Sequence, residues 1–417
     1  MNITNKLNKI LKEYSLGNKL AAYKEFKKIF LKNKKNTKLR YNLAVMENEL
    51  GFVIDAKKNY EFLVNNHSHF KSKINLYNLY LQEGNFNKSL ELICDLLKED
   101  SSLKSIKVDK AFVLYKLNRI DDSINTCKSI LKKNKNIHAL NIWGLCCFIS
   151  KNYNEANKLF LEALQLDKNN IAVLNSLGRL NHELRKSKIS EKYFLQALSL
   201  SKKNYQTLNN IAGFYLEEGN YKKAIKYYEE SNLLNPKNSI VLNNLAKAHL
   251  SLDDVRTAEK FVREALTKNK DNDDFKKTLS LILLRKYDFK NAWRYFDGRL
   301  SLSDFSSKNK SFSLIKQKLL LKSYLKTNSS ILLIREQGVG DEILYSSMYQ
   351  DILNQIDNLI IECDERLIPI FQNSFEKKHR NKFVKLGSFS SNIEKLKQFD
   401  NTIYAGSLGK FFRNSLN

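Results

Sequence analysis

A step of 34 residues governs most of this chain. Ala163-Leu164 and Ala197-Leu198 stand 34 apart, and the same step reaches Ser231-Asn232 and Ala265-Leu266. Seven residues before each pair sit Ala156, Ser190, Ala224 and Ala258; nineteen before sit Gly144, Gly178, Ala212 and Ala246. Large residues hold the same phase: Trp143, Leu177, Ile211 and Leu245, then Phe160, Phe194, Tyr228 and Val262. The small residue recurs upstream at Ser123, Ser89, Ala56 and Ala22 with one-residue slips, and downstream at Ala292, giving about nine units. With only 13 Gly and 2 Pro in 417 residues, the chain has few helix breakers. Each unit therefore reads as two antiparallel helices brought close by small side chains, with aromatics filling the gaps beside them. One such unit cannot bury its apolar face alone, so neighbours must stack.

The period and its several phased positions resemble the tetratricopeptide repeat family over residues 1–300. The resemblance implies a mainly α solenoid of about nine helical hairpins whose inner face holds a protein or peptide. Asn141, Asn175, Asn209 and Asn243 recur in the first helices, with Asn42, Asn210 and Asn244 at the next position of their units. In that family both positions line the groove, and an amide both donates to and accepts from an extended backbone. The alternative is that Asn is simply abundant in this chain.

Residues 301–313 are rich in Ser, and 301–329 read as a linker. Beyond it the period changes. Apolar runs at 331–335, 358–363, 383–386 and 402–405 alternate with helical patterns, which predicts a parallel α/β arrangement over 330–417. Gly338-Val-Gly340-Asp341 lies between the first run and a helix, the context of an anion site. Ile343 in place of a third Gly breaks the dinucleotide fingerprint, and no Lys-Ser/Thr pair makes a P-loop, so a nicotinamide cofactor is not expected.

Arg335-Glu-Gln-Gly-Val-Gly-Asp-Glu-Ile-Leu-Tyr345 resembles the first loop of heptosyltransferase-like glycosyltransferases of family 9, and more closely that of bacterial tetratricopeptide proteins carrying such a domain. Residues 284–300 and 406–413 resemble the junction and end segments of those proteins, and the architecture is similar to that of O-GlcNAc transferases. The resemblance implies a partial Rossmann-like domain, the N-terminal part of a GT-B fold, on the acceptor side of a sugar-transfer site. Asp341 then maps onto the general base that takes the acceptor's proton. Arg335, Gly338, Gly340 and Arg413 map onto ligand-binding positions. Two other roles fit Asp341: capping the following helix, or touching a ligand without catalysis. Arg413 equally fits a surface arginine, and Gly409 stands where that family often has Pro. A nucleotide-sugar donor is implied only by the resemblance, and its half of the site is expected to be absent from this chain. The chain is therefore expected to be glycosyltransferase-like but incomplete as an enzyme, or else a non-catalytic interaction scaffold.

The formal charge of +27 raises the question of nucleic acid or anionic membranes, and the first forty residues, at about +10, are the most basic. No RNP, zinc-finger or Arg-rich reader accompanies that charge, so nucleic acid is not the expected partner. No apolar run approaches the ~18 residues of a membrane span. The five cysteines form no CxxC pair, which suggests a reducing compartment, and the start shows no signal-peptide core, so the cytoplasm is the expected location. Cys146-Cys147 and the two tryptophans read as core. His67 and His69 lack further ligands, so no metal is expected. The Asp253-Asp254 and Asp271–Asp274 clusters read as helix caps.

Overall fold

The computed structural model describes residues 3–132, 134–236, 238–301, 315, 317–319, 325, 328–336 and 338–415. The chain forms two compact units, Met1–Ser201 and Lys202–Asn417. The first contains the helices α1 (Ile3–Ser15), α2 (Lys19–Lys32), α3 (Thr37–Glu49), α4 (Val53–His67), α5 (Phe70–Gln82), α6 (Phe86–Glu99), α7 (Lys104–Lys116), α8 (Ile120–Leu131), α9 (Ile137–Ile149), α10 (Tyr153–Leu166), α11 (Ile171–Glu183) and α12 (Ser187–Leu200). The second opens with α13 (Tyr205–Glu217), α14 (Tyr221–Leu234), α15 (Ser239–Ser251), α16 (Val255–Lys268), α17 (Asp273–Arg285) and α18 (Phe289–Phe296). Consecutive helices pair as antiparallel hairpins, and within each unit every hairpin packs on the next. Among the described residues this makes nine hairpins, the number the periodicity predicts.

Three columns explain why the period persists. Ala22, Ala56, Ser89, Ser123, Ala156, Ser190, Ala224, Ala258 and Ala292 are all fully buried. Where the residue is Ser its hydroxyl needs a partner, and it finds one twelve residues back. Ser123 Oγ donates to the Ala111 carbonyl and Ser190 Oγ to that of Gly178, both at 2.8 Å. Opposite this column runs a second one of bulk: Phe26, Tyr60, Ile93, Cys127, Phe160, Phe194, Tyr228, Val262 and Phe296, all buried. A Cβ on Gly144 would lie 2.4 Å from the Phe160 ring, and one on Gly178 2.6 Å from the Phe194 ring, so these glycines make room for the aromatics. The third column is the turn inside each hairpin. Gly17, Gly51, Gly84, Asn118, Lys151, Arg185, Gly219, Asp253 and Tyr287 all have positive φ, reversing the chain after the first helix.

Asparagine has a role in this repetition that the inner-face ladder does not capture. Asn36, Asn136, Asn170, Asn204, Asn238 and Asn272 are N-caps of first helices, each accepting a backbone N–H with its side chain. The aspartate expectation holds at Asp254, which caps α16 through the Thr257 N–H at 3.2 Å. His69 caps α5.

After α18 a 3₁₀ turn, Asp297–Ser301, leads toward a four-stranded parallel sheet. Its strands are β1 (Ile331–Ile334), β2 (Leu359–Cys363), β3 (Phe383–Lys385) and β4 (Asn401–Tyr404), in the order β3-β2-β1-β4. Ile331 pairs with Leu359 on one side and Asn401 on the other. Strand β1 is buried on both faces, as its unbroken apolar run requires. Ile331 and Leu333 join Tyr349, Ile352, Phe371 and Phe383 in one core; Leu332 and Ile334 join Leu300, Ile315, Leu396 and Phe399 in the other. The intervening helices are α19 (Val339–Ser346), α20 (Tyr349–Leu353), α21 (Ile368–Ser374), α22 (Ile393–Lys397) and α23 (Gly409–Phe412). Most of the expected linker, including 302–314, lies outside the described residues. Within it Ile315 is buried, its carbonyl accepting from Thr402 Oγ1 at 3.0 Å, and Leu319 bridges to Thr402, so these two residues pack on the sheet.

Candidate binding groove and glycine loop

In the first unit, α7, α9 and α11 lie side by side and their shared face is concave. A groove of about 620 Å³ is lined there by Val108, Phe112, Ile142, Leu145 and Ala172, with Lys104, Asp109, His138 and Asn141 as polar members. Asn141 was expected on this face and is found there, half-buried. Its Oδ1 accepts from Ser176 Oγ at 2.8 Å, joining α9 to α11. Asp109 was not singled out from the sequence. Tyr77 donates to its Oδ2 at 3.0 Å, and desolvation raises the Asp109 carboxyl above the ordinary range. The signal was available in the spacing of helix starts. Lys104 and Ile137 lie 33 residues apart, which puts Asp109 in register with Ile142, and the one-residue slip hid it.

Two of the other asparagines of the expected ladder bond within the chain. Asn175 is buried and donates from Nδ2 to the Ile171 carbonyl at 3.0 Å. In the second unit, Asn243 is fully buried and donates to Asp274 Oδ2 at 2.7 Å, while Lys247 pairs with the same carboxylate at 2.8 Å. Asn209 is half-buried, and its Oδ1 has no partner among the described residues. Asn42, Asn210 and Asn244 are half-buried as well. The amides at 141, 175 and 243 therefore spend at least one hydrogen bond on the repeat itself.

In the sheet, the glycine loop leaves the carboxyl end of β1, the central pair's outlet. Gly338 is the N-cap of α19, and its N–H donates to Asp341 Oδ2 at 3.3 Å, so Asp341 closes the first turn of that helix. A Cβ at Gly340 would meet nothing within 4 Å, and one at Gly338 would meet only Asp341 Oδ2 at 3.7 Å. Space thus remains in front of both glycines. Arg335 turns inward: its Nε pairs with Glu342 at 2.9 Å and its Nη1 with Asp364 at 2.7 Å. Arg413 is exposed, pairs with Asp351 at 2.8 Å, and lends its carbonyl to the indole N–H of Trp293 at 2.7 Å. The structure therefore does not bring Arg335, Asp341 and Arg413 onto one shared partner.

The strongest charge cluster of this unit was not anticipated. Arg299 and Glu336, both buried, form a two-pronged pair at 3.0 and 2.6 Å. Arg299 also donates to Ser407 Oγ at 3.0 Å, its guanidinium lies 4.0 Å from the Phe296 ring centre, and Asp297 bridges to Lys410 at 2.9 Å. The Gly406 N–H donates to Glu336. This packing fixes two glycines. A Cβ on Gly406 would sit 2.2 Å from Glu336, and one on Gly409 2.2 Å from the Trp293 ring. Trp293 and Trp143, both expected in the core, are half-buried instead. The contact with Trp293 is a local reason for Gly at 409.

Residues 215–282 match the tetratricopeptide repeat model. The chain carries tetratricopeptide repeats. The matched segment runs from the end of α13 into α17, and the hairpin columns of the tetratricopeptide repeats extend on both sides of it within the second unit and recur in the first. No curated protein sequence matches. Solved structures that align with the chain include the Cut9–Hcn1 hetero-tetramer of the APC/C, 16% identical with a TM-score of 0.44 over 64% of this chain and 52% of that one. Others are a tetratricopeptide repeat protein from Parabacteroides merdae (13% identical, TM-score 0.42, covering 59% and 96%) and Pseudomonas aeruginosa PilF (22%, 0.37, covering 43% and 80%). The chain spans about half the length of the Cut9–Hcn1 chain it matches. No helix among the described residues is long and apolar enough to cross a membrane.

Proposed function

We propose that this chain is a protein-binding scaffold whose tetratricopeptide repeats hold an extended segment of a partner in the groove over α7, α9 and α11. The observation that carries the reading is the groove's makeup. An apolar floor of Val108, Phe112, Ile142 and Leu145 is edged by Asn141, Asp109 and His138, so side chains can be buried while a backbone finds donors and acceptors. A photo-crosslinking amino acid at Leu145 should trap a specific protein in the source cells, and the same group at exposed Gln165 on α10 should not. Equal trapping at both positions would remove the groove from partner binding.

A second reading has its own support. The parallel order β3-β2-β1-β4 supports it, because the same order begins the 3-2-1-4-5-6 arrangement of doubly wound sheets, in which ligands bind beyond the carboxyl ends of the strands. The open space before Gly338 and Gly340 lies at that edge. On this reading the segment is the acceptor side of a sugar-transfer site, with Asp341 releasing its bond to the Gly338 N–H to take an acceptor proton and a nucleotide-sugar half supplied separately. Labelled sugar nucleotides incubated with source-cell extract and the chain should give transfer that Asp341→Asn abolishes. Transfer equal in both would take Asp341 out of the chemistry.

A further inference from the structure

Two second helices of the first unit, α2 and α4, carry an outward stripe that the hairpins after them lack. On α2, Leu20, Lys24 and Lys28 follow one another at steps of four, and on α4 Ile54, Lys58 and Phe62 do the same, so each trio lies along one face. All six are exposed, Leu20 by 50% and Ile54 by 73%. The two stripes adjoin. The Tyr23 ring of α2 lies 5.3 Å from that of Phe52, at the start of α4. Farther along, Arg40 sets its guanidinium 5.0 Å from the Phe30 ring centre of α2 and 3.8 Å from that of Phe62. At the same positions the next hairpin has Asn87, Glu91 and Asp95, and the one after it Asp121, Asn125 and Ser129.

Phe52 departs from the repeat in the same sense. Five of the other second helices start on an Asn or Asp whose side chain accepts a backbone N–H, whereas Phe52 holds that position without such a bond and stays exposed. An apolar residue there gives up a cap for partial burial, so folding alone does not account for it. The charge beside it is one-sided. Residues 1–40 hold eleven Lys and one Arg against Glu13 and Glu25. Lys28 pairs with Glu25 at 2.7 Å, while among the described residues Lys24 and Lys58 have no ion pair. Protruding apolar side chains set among ammonium groups suit the boundary of an anionic bilayer, where the apolar tips reach the acyl region and the lysines meet lipid charge. A nucleic acid would engage the lysines and leave Leu20 and Ile54 in water.

We infer that the face formed by α2 and α4 docks on an anionic lipid surface, with Leu20, Phe52 and Ile54 entering the headgroup boundary and Lys24, Lys28 and Lys58 meeting lipid charge around them. The contact is peripheral and spans nothing. It lies on other helices than the groove over α7, α9 and α11, so it stands apart from both functional readings above.

The test is cosedimentation of the full chain with vesicles of phosphatidylcholine, either alone or mixed with about 30% phosphatidylserine. Binding to the mixed vesicles is expected to be at least about tenfold tighter than to the neutral ones and to weaken in salt. Leu20→Asn/Ile54→Asn should weaken it at least about fivefold without lowering the melting temperature, because both side chains are exposed. If that variant melts earlier than the parent, Lys24→Gln/Lys58→Gln serves instead, with the same loss expected. Equal binding to the two kinds of vesicle, or binding to neither, would overturn the inference. So would binding to the mixed vesicles that survives the substitutions and is displaced by a single-stranded oligonucleotide, since the face would then recognise nucleic acid through charge alone.

Discussion

At Gly144 and Gly178 two residue-level effects oppose each other. Alanine is favoured over glycine inside a helix by about 1 kcal/mol. A Cβ 2.4 Å from the fully buried Phe160 ring is about 1 Å inside ordinary contact, and overpacking of a closed core costs about 1–3 kcal/mol. The clash should win because the ring has no exposed side toward which to move. Gly144→Ala is therefore expected to destabilise the chain by about 1–2 kcal/mol in urea unfolding, and Phe160→Leu should suppress that loss in the double variant. Additive costs in the double-variant cycle would show that the glycine serves something other than the ring. The same logic separates the glycines of the α/β segment. Those at 406 and 409 are demanded by Glu336 and Trp293, while those at 338 and 340 face open space.

At the scale of elements, the 3₁₀ turn, the end of β1 and the 405–410 segment are joined by buried charge rather than by apolar area alone. Burial works to raise the Asp297 carboxyl, yet Lys410, the Ser407 hydroxyl and Arg299 bring it below the ordinary aspartate value. A depressed carboxyl contributes stability that is complete above the unfolded-state pKa of about 3.9 and is lost as pH falls through the folded value. Melting temperatures should therefore place Asp297→Asn well below the parent at pH 6, with the gap narrowing as pH falls below about 4. A difference that stays constant with pH would mean that Asp297 contributes only packing. Removing Glu336 should be costlier, about 3–5 kcal/mol, because it strands the Arg299 guanidinium in the interior.

For the molecule as a whole, the two compact units and the neighbour-only packing of the hairpins argue against one cooperative transition. The sequence supplies one tryptophan reporter in each unit, Trp143 in the first and Trp293 in the second. With each read separately through Trp143→Phe and Trp293→Phe variants, Gly144→Ala should move the Trp143 transition in urea and leave the Trp293 transition in place. Coincident shifts would mean that the units unfold together.

The sequence alone determined the repeat, because the residues that make it are steric requirements repeated in phase. A small residue must sit where two helix backbones meet, and a bulky one must fill the space beside it. Strand β1 was legible for a similar reason, since a strand buried on both faces must be apolar throughout, and shorter apolar runs marked β2, β3 and β4. The tertiary structure decided what the polar residues do. Repetition made Asn141, Asn175 and Asn243 look like a ladder for a partner, yet each bonds the repeat itself, while Asn136, Asn170 and Asn204 cap helix ends. Arg335 and Arg413 read alike as ligand-binding positions, but one is enclosed by Glu342 and Asp364 and the other pairs at the surface. The Arg299–Glu336 pair spans 37 residues and the Arg299–Ser407 bond 108, and no local pattern records contacts of that range. Hydrogen bonds and ion pairs depend on directions and distances across the fold, whereas burial and size leave a mark at every turn of the helix.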